Sequence, residues 1–593
     1  MNEILFHYEK IDPTTWTYLA SLLIIGLFFK FGRFWSVRNL DLLLLILLAP
    51  GLLLVSEGQR VRMEAMAAAV AARQNQETTQ PDVGHRLPAA ASEEPGTGPS
   101  SAQLAPPPSS GDGAAGTPAL PSPGATRNSK QVRDTEPAVT EQQSDSPLSA
   151  AQNQLLRGKT IERIGFIWLL LTGLLLLVRC LIDSTMVRRP LLEPNMTTGG
   201  LIFSCCSLFV FLMANVVASR PTADDLLSPS NAERLISRQT TNDLDRHGPG
   251  YALVFTLPSL PTVKMGSNLA RQRVDAPPPR FRDWSYRTRP DQPLVDVEAE
   301  FLEIAPDGQI RLRKPDGTEM SIVQAALCPP DQAFVATIRA YTTVAKLVAI
   351  LSHLAIVIGI IAVGFWHFNN VKMGVGAATL YLMLPYTSQF TGRVDHVLPT
   401  AMLVWAIFCY RRPLVAGMFL GLAIGIIYYP LFLLPLWFSF YWQRGMLRFT
   451  VGLVLVLTVM VLMLLFVSPD AEAFWQCFKK MFGLMPPQSK GLGGIWGLGW
   501  HPVYRYPILT AFVAMCGSMA IWPAQKNLGT LVSCSAAVMI ATQFWHGYGG
   551  GLYMAWYLPL FLLTVFRPNL EDRTAVSVLA EGWLPGFSAT HGR

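Results

Sequence analysis

The chain has 593 residues, 51% of them hydrophobic and only 15% charged, with a formal net charge of +7. Several apolar runs exceed the ~20 residues that a helix needs to cross a bilayer, so the composition points to a polytopic membrane protein and away from a soluble globular domain. A charge of +7 over this length reads as arginines left on the cytoplasmic side, and no nucleic-acid partner is expected.

The first apolar run follows Glu3, Glu9 and Asp12 and is itself followed by basic residues, the reverse of a cleavable signal peptide, so the first helix is expected to stay. A first membrane pair is predicted within 1–56, with helices near 15–32 and 39–56 and Lys30, Arg33 and Arg38 between them. Residues 57–160 are rich in Ala, Pro, Ser and Gly. They bury too little apolar surface to offset ordering entropy and are expected to be a disordered linker. A second helix pair is predicted over 161–218, then a polar extracytoplasmic segment over 219–279, a β-module over 280–335, a dense helical block over 337–567 and a cytoplasmic tail over 568–593. The fold class is therefore mainly α, a polytopic helical membrane protein of about thirteen helices with one small inserted β-module and a disordered linker.

Short loops at 30–38, 179–189, 411–412, 444–448 and 526 all carry positive charge. Placing them all inside requires the N-terminus outside and the C-terminus inside. It also requires Leu414–Tyr429 and Pro430–Trp442 to be two short helices that break at Tyr428-Tyr429-Pro430, where proline removes a backbone donor. Six of eight cysteines lie inside apolar runs, the other two are Cys328 and Cys477, and no C-x-x-C spacing occurs. Neither a disulfide framework nor a metal site is supported.

Within the module, Val295, Val297, Ala299 and Phe301 alternate with polar residues, "QIRLRKP" alternates through Ile310 and Leu312, and "EMSIV" supplies a third strand. Asp307-Gly308 and Asp316-Gly317 read as hairpin turns. Trp284, Phe301, Ile310 and Leu312 are the expected core. The blocks Arg-x-Trp, "EAEF", "DGQIRLRKPDGTEMSI" and the closing "L-x-x-x-D-Q-x-F-V" resemble the Sla homology domain of the first type, an SH3-like fold. That resemblance implies a protein partner. The stretches "RFWSVRNLDLLLLILLAPGLLLV", "VRRPLLEPNMTTGGL" and "RPNLEDRTAVSVLAEGW" resemble membrane proteins of planctomycete bacteria.

No P-loop, Rossmann fingerprint, H-E-x-x-H or G-x-S-x-G occurs in a fitting context. The stretch from "GRVDHVLPTAM" through "RRPLVAGMFLGLAIGIIYYP" is similar to polyprenyl-phosphate-dependent glycosyltransferases of the family 87 mannosyltransferase type, although Tyr428 replaces that family's lysine and its early acidic motif is not recognisable. The resemblance implies a polyprenyl-phosphate sugar donor, a site on the outer face and, for such an enzyme, a divalent cation; no other cofactor is evident. Asp395, His396 and His546 are the candidate catalytic groups. Arg393, Trp496, Trp500, His501, Arg505 and Trp545 are the candidate binders of a sugar phosphate, through guanidinium–phosphate pairing and indole stacking. The same residues also fit a belt of interfacial aromatics that anchors helices at headgroup level. Two functions therefore remain open: a membrane-anchored protein-binding scaffold built around the β-module, and a lipid-linked sugar transferase built around the helical block.

Overall fold

The computed structural model describes residues 12–79, 147–186, 191–219, 223–236, 248–266, 282–287, 295–304, 309–315, 317–323, 326–487 and 491–581. Contacts divide the chain into two units, 1–61 with 157–593, and 62–156.

Helix α1 (Pro13–Phe28) starts where the Asp12 carboxylate accepts from the backbone N–H of Thr14 and Thr15, with Pro13 at the first helical position. A tight turn leads to α2 (Val37–Thr79), and the buried Asn39 side chain holds that turn, donating to the carbonyls of Lys30 and Arg33 at 2.9 and 3.0 Å. Helix α2 runs beyond the membrane segment expected to end at 56. Helix α3 (Pro147–Asp183) likewise begins before the expected 161. The two ends of the expected disordered linker are thus helical, and at the first of them "RVRMEAMAAAVAARQ" is built almost wholly of strong helix formers. The rest of that linker, 80–146, lies outside the described residues.

Helices α4 (Thr198–Ala218), α5 (Ala223–Ile236) and α6 (Pro249–Gly266) follow. The expected polar segment is therefore partly core: Tyr251 and Phe255 of α6 are buried in the main apolar cluster. After the sheet come α7 (Pro329–Ala362), α8 (Val371–Met383), α9 (Pro385–Gln389), α10 (Val394–Phe408), α11 (Pro413–Ile426), α12 (Leu434–Tyr441), α13 (Met446–Val467), α14 (Ala471–Met481), α15 (Arg505–Ser518), α16 (Leu528–Trp545), α17 (Leu558–Phe566) and α18 (Ala575–Glu581).

Among the described residues, six helices are long and apolar enough to cross a bilayer, and five further apolar helices are shorter. The expected count of about thirteen is not confirmed by these lengths; a helical membrane bundle is. The break at Tyr428-Tyr429-Pro430 is present: α11 ends at Ile426, a 3-10 turn spans Tyr429–Leu433 and α12 returns. Helices α11 and α13 then run parallel, backbone against backbone. A Cβ on Gly417 would strike Phe449, one on Gly452 would strike Leu414, and one on Gly421 would meet the Leu453 carbonyl oxygen at 2.9 Å. Because early residues of one helix touch early residues of the other, their N-termini share one end.

The module is a four-stranded antiparallel sheet in the order β1 (Arg282–Tyr286), β2 (Val295–Ile304), β3 (Gln309–Arg313), β4 (Glu319–Val323). Three of the strands match the alternation read from sequence; β1 is the addition, and it carries Trp284 against Val297 of β2. Trp284, Ile310 and Leu312 are buried, and Phe301 is half-buried with its ring stacked 6.0 Å from Trp284. The indole N–H of Trp284 donates to the Ala299 carbonyl at 3.0 Å, so its burial leaves no orphan donor. Gly317 sits at φ +85°, which only glycine adopts without strain, and closes the β3–β4 turn. The Asp307-Gly308 turn and Asp316 lie outside the described residues. The core takes in the start of α7, within the expected 280–335: Phe334 and Val335 pack into it, and Asp331 accepts from the Ser285 N–H at 3.1 Å.

Candidate functional site

The first turn of α10 carries Asp395 and His396 directly after Arg393. Asp395 takes two hydrogen bonds from the Arg393 guanidinium, at 3.0 and 2.8 Å. A carboxylate in a helix's first turn also faces the positive end of the helix dipole. Its backbone carbonyl is gripped as well, by the Tyr251 hydroxyl at 2.8 Å and the Trp556 indole N–H at 3.1 Å. His396 is buried, with its Nε2 3.6 Å from the Asp395 carboxylate and its Nδ1 2.5 Å from the Tyr386 hydroxyl.

Tyr553 joins this group to the other end of the block. Its ring lies 4.6 Å from the His396 ring and 4.5 Å from that of His546, and stacks on Trp556 at 4.4 Å. Gln543 fixes the loop that carries Tyr553, its side-chain carbonyl accepting from the N–H groups of Gly551 and Tyr553, each at 3.2 Å. Tyr429, at the break after α11, contacts Trp545, His546 and Trp556 at ring separations of 5.3, 5.0 and 5.2 Å. The three candidate catalytic residues therefore do meet, through tyrosines that the sequence reading left out. Tyr386 lies ten residues before its partner His396, whereas only a contact between distant segments could have revealed Tyr553.

The candidate binders divide. Arg505 donates twice to the Trp545 carbonyl, at 3.2 and 3.0 Å, and the Trp496 indole donates to the Phe544 carbonyl at 3.3 Å. Gly493 donates to the Gly547 carbonyl at 2.7 Å, so the loop near 491–505 is laced onto the loop after α16. Arg505 and Trp496 thus hold loop backbone. Trp545 is buried among Phe432, Phe512 and Tyr429, and its indole N–H has no hydrogen-bond partner among the described residues. Trp500 is 45% exposed, and His501 accepts from the N–H of Val503 in a local turn.

What the arrangement can do follows from its packing. Rings at 4.5–4.6 Å leave Tyr553 in direct contact with both His396 and His546, with Arg393 the partly exposed member beside the carboxylate. Such a cluster can relay a proton among the imidazoles and phenols, or it can pin α10, α16 and the 549–557 loop together. Among the described residues, no group of three or more His, Cys, Asp or Glu could hold a metal ion. No family model, no curated protein and no solved structure matches this chain.

Proposed function

We propose that the chain is an integral membrane protein whose β-module binds a protein partner on the outer side of the membrane. One observation carries this reading, the asymmetry of the sheet's two edges. Strand β1 is covered: Tyr286 bridges Leu327, Arg287 donates to the Ala326 carbonyl at 2.8 Å and Cys328 to the Ser285 carbonyl at 2.9 Å. Strand β4 pairs with β3 alone among the described residues, and Glu319, Ser321 and Val323 along it are exposed. An uncovered edge is a template for an added strand, which soluble sheets otherwise guard. The resemblance to the Sla homology domain and the arginine-bearing loops on the opposite side support the same reading.

A photo-crosslinking residue at position 323 in intact cells tests it. A discrete protein adduct at 323, absent at the face position 311 and competed by an excess of the purified protein, is the expected result. Equal labelling at both positions would remove the edge as a docking site.

A second reading, transfer of a sugar from a polyprenyl-phosphate donor, is favoured by the convergence of Asp395, His396 and His546. In it Asp395 orients the acceptor hydroxyl and the histidines share its proton. The purified protein, given a polyprenyl-linked donor, should then lose transfer on Asp395→Asn while its melting temperature holds.

A further inference from the structure

A cavity of about 590 Å³ opens at the end of the bundle where α11 and α13 begin. Among the described residues its lining includes Arg411, Arg412, Arg444 and Arg448, and no carboxylate. Arg411 and Arg412 come from the loop before α11, and Arg444 and Arg448 from the loop before α13 and its first turn, separated in sequence by a whole re-entrant hairpin. The parallel packing of α11 and α13 brings them together: Gly445, at φ +95°, presses against Pro413, where a Cβ would lie 2.8 Å from the proline ring. Both helix starts therefore face the same space. The first intrahelical bonds run from Ala416 to the Arg412 carbonyl and from Phe449 to the Gly445 carbonyl, and neither cap residue supplies a side-chain acceptor. The amides of Leu414, Val415, Leu447 and Arg448 precede those bonds and belong to residues that line the cavity.

Four guanidinium groups and two positive helix ends around one concavity, with no carboxylate in the lining among the described residues, call for an anion of high charge density. Guanidinium matches phosphate in a planar, two-pronged geometry that chloride cannot use. The volume is in the range of sites for a small organic ligand. The rim supplies the second half of the identification. Leu414 is 39% and Leu447 77% exposed, and the exposed apolar face continues along α13 through Val451, Val454 and Leu455. A hydrated anion needs no such track, but an acyl chain does. We propose that this cavity holds the phosphate headgroup of an anionic phospholipid, with its acyl chains along the open face of α13. The site is independent of the β-module and of the Asp395 cluster.

The test uses the full-length protein in nanodiscs of phosphatidylcholine with rising fractions of phosphatidylglycerol, with lipid bound on release counted by native mass spectrometry. Wild type should retain phosphatidylglycerol in preference to phosphatidylcholine. Arg444→Ala with Arg448→Ala should weaken that retention about 25-fold, taking roughly five-fold for each basic side chain near a lipid phosphate. Lys479→Ala with Lys480→Ala, on α14 beyond the far end of α13, should leave it unchanged. Equal retention by the arginine variant, or an equal loss in the lysine variant, overturns the site. If the double variant does not fold, Arg448→Gln alone is measured and should lose about five-fold; no loss there also overturns it. Inorganic phosphate distinguishes the source: displacement of phosphatidylglycerol by millimolar phosphate at equal occupancy would make the ligand a soluble phosphate and overturn the lipid assignment.

Discussion

The Arg567 guanidinium donates to the Asp183 carboxylate at 2.6 Å across 384 positions of sequence. The other oxygen of Asp183 accepts from Arg179 at 2.9 Å, and Arg179 in turn forks onto Asp41 at 2.6 and 2.9 Å. All four side chains are buried, two of each sign, so the network is neutral as a whole. It ties α2, α3 and the segment after α17 together at one end of the bundle. Removing one member leaves an uncompensated buried charge, so Arg567→Met should destabilise by about 3–5 kcal/mol. Thermal unfolding in detergent checks it: the variant should melt well below wild type. An unchanged melt would mean the pair contributes nothing net.

The module should fold only with the start of α7 attached. A fragment spanning 280–340 should give β-type circular dichroism and a cooperative melt, whereas one cut at 330 should not, because Phe334 and Val335 complete the core. Within the longer fragment, Trp284→Ala should cost about 3–5 kcal/mol. Phe301→Ala should cost less, since Phe301 is only half-buried. Denaturant titration of the three proteins ranks them.

The backbone contact between α11 and α13 should not accept bulk. Gly421→Val would force atoms within about 3 Å of the Leu453 carbonyl oxygen and should destabilise by about 1–3 kcal/mol. Gly517→Ala, where nothing lies within 4 Å, is the matched control. The comparison is read from detergent melts of the two variants, with only the first expected to shift beyond the cost of one helix glycine.

Cysteines placed at 412 and 444 should behave alike, because both positions line one cavity. In a background lacking the exposed Cys206, both should stay protected from a membrane-impermeant thiol reagent in intact cells and react after permeabilisation. A cysteine in the 80–146 segment should react without permeabilisation. Opposite labelling at 412 and 444 would contradict the parallel packing of α11 and α13, and exchange of both patterns would reverse the orientation.

Local rules made part of this protein legible from its sequence. Apolar runs marked the bundle, period-two alternation marked β2, β3 and β4, and Pro430 marked the break between α11 and α12, because each of these depends on residues within a few positions of one another. The helical ends of the 57–160 segment were legible too, in a run of helix formers outweighed by the Pro- and Ser-rich middle. The rest depended on pairing at long range. Nothing in the neighbourhood of Asp183 signals Arg567, and nothing beside His396 signals Tyr553 or His546. Charged and aromatic side chains leave no periodic trace of partners more than a hundred residues away. The arginine cavity belongs to the same class. Arg411, Arg412, Arg444 and Arg448 read singly as positive loops of a membrane protein, and they become one concave site only because Gly417, Gly421 and Gly452 let α11 and α13 touch backbone to backbone with their N-termini side by side.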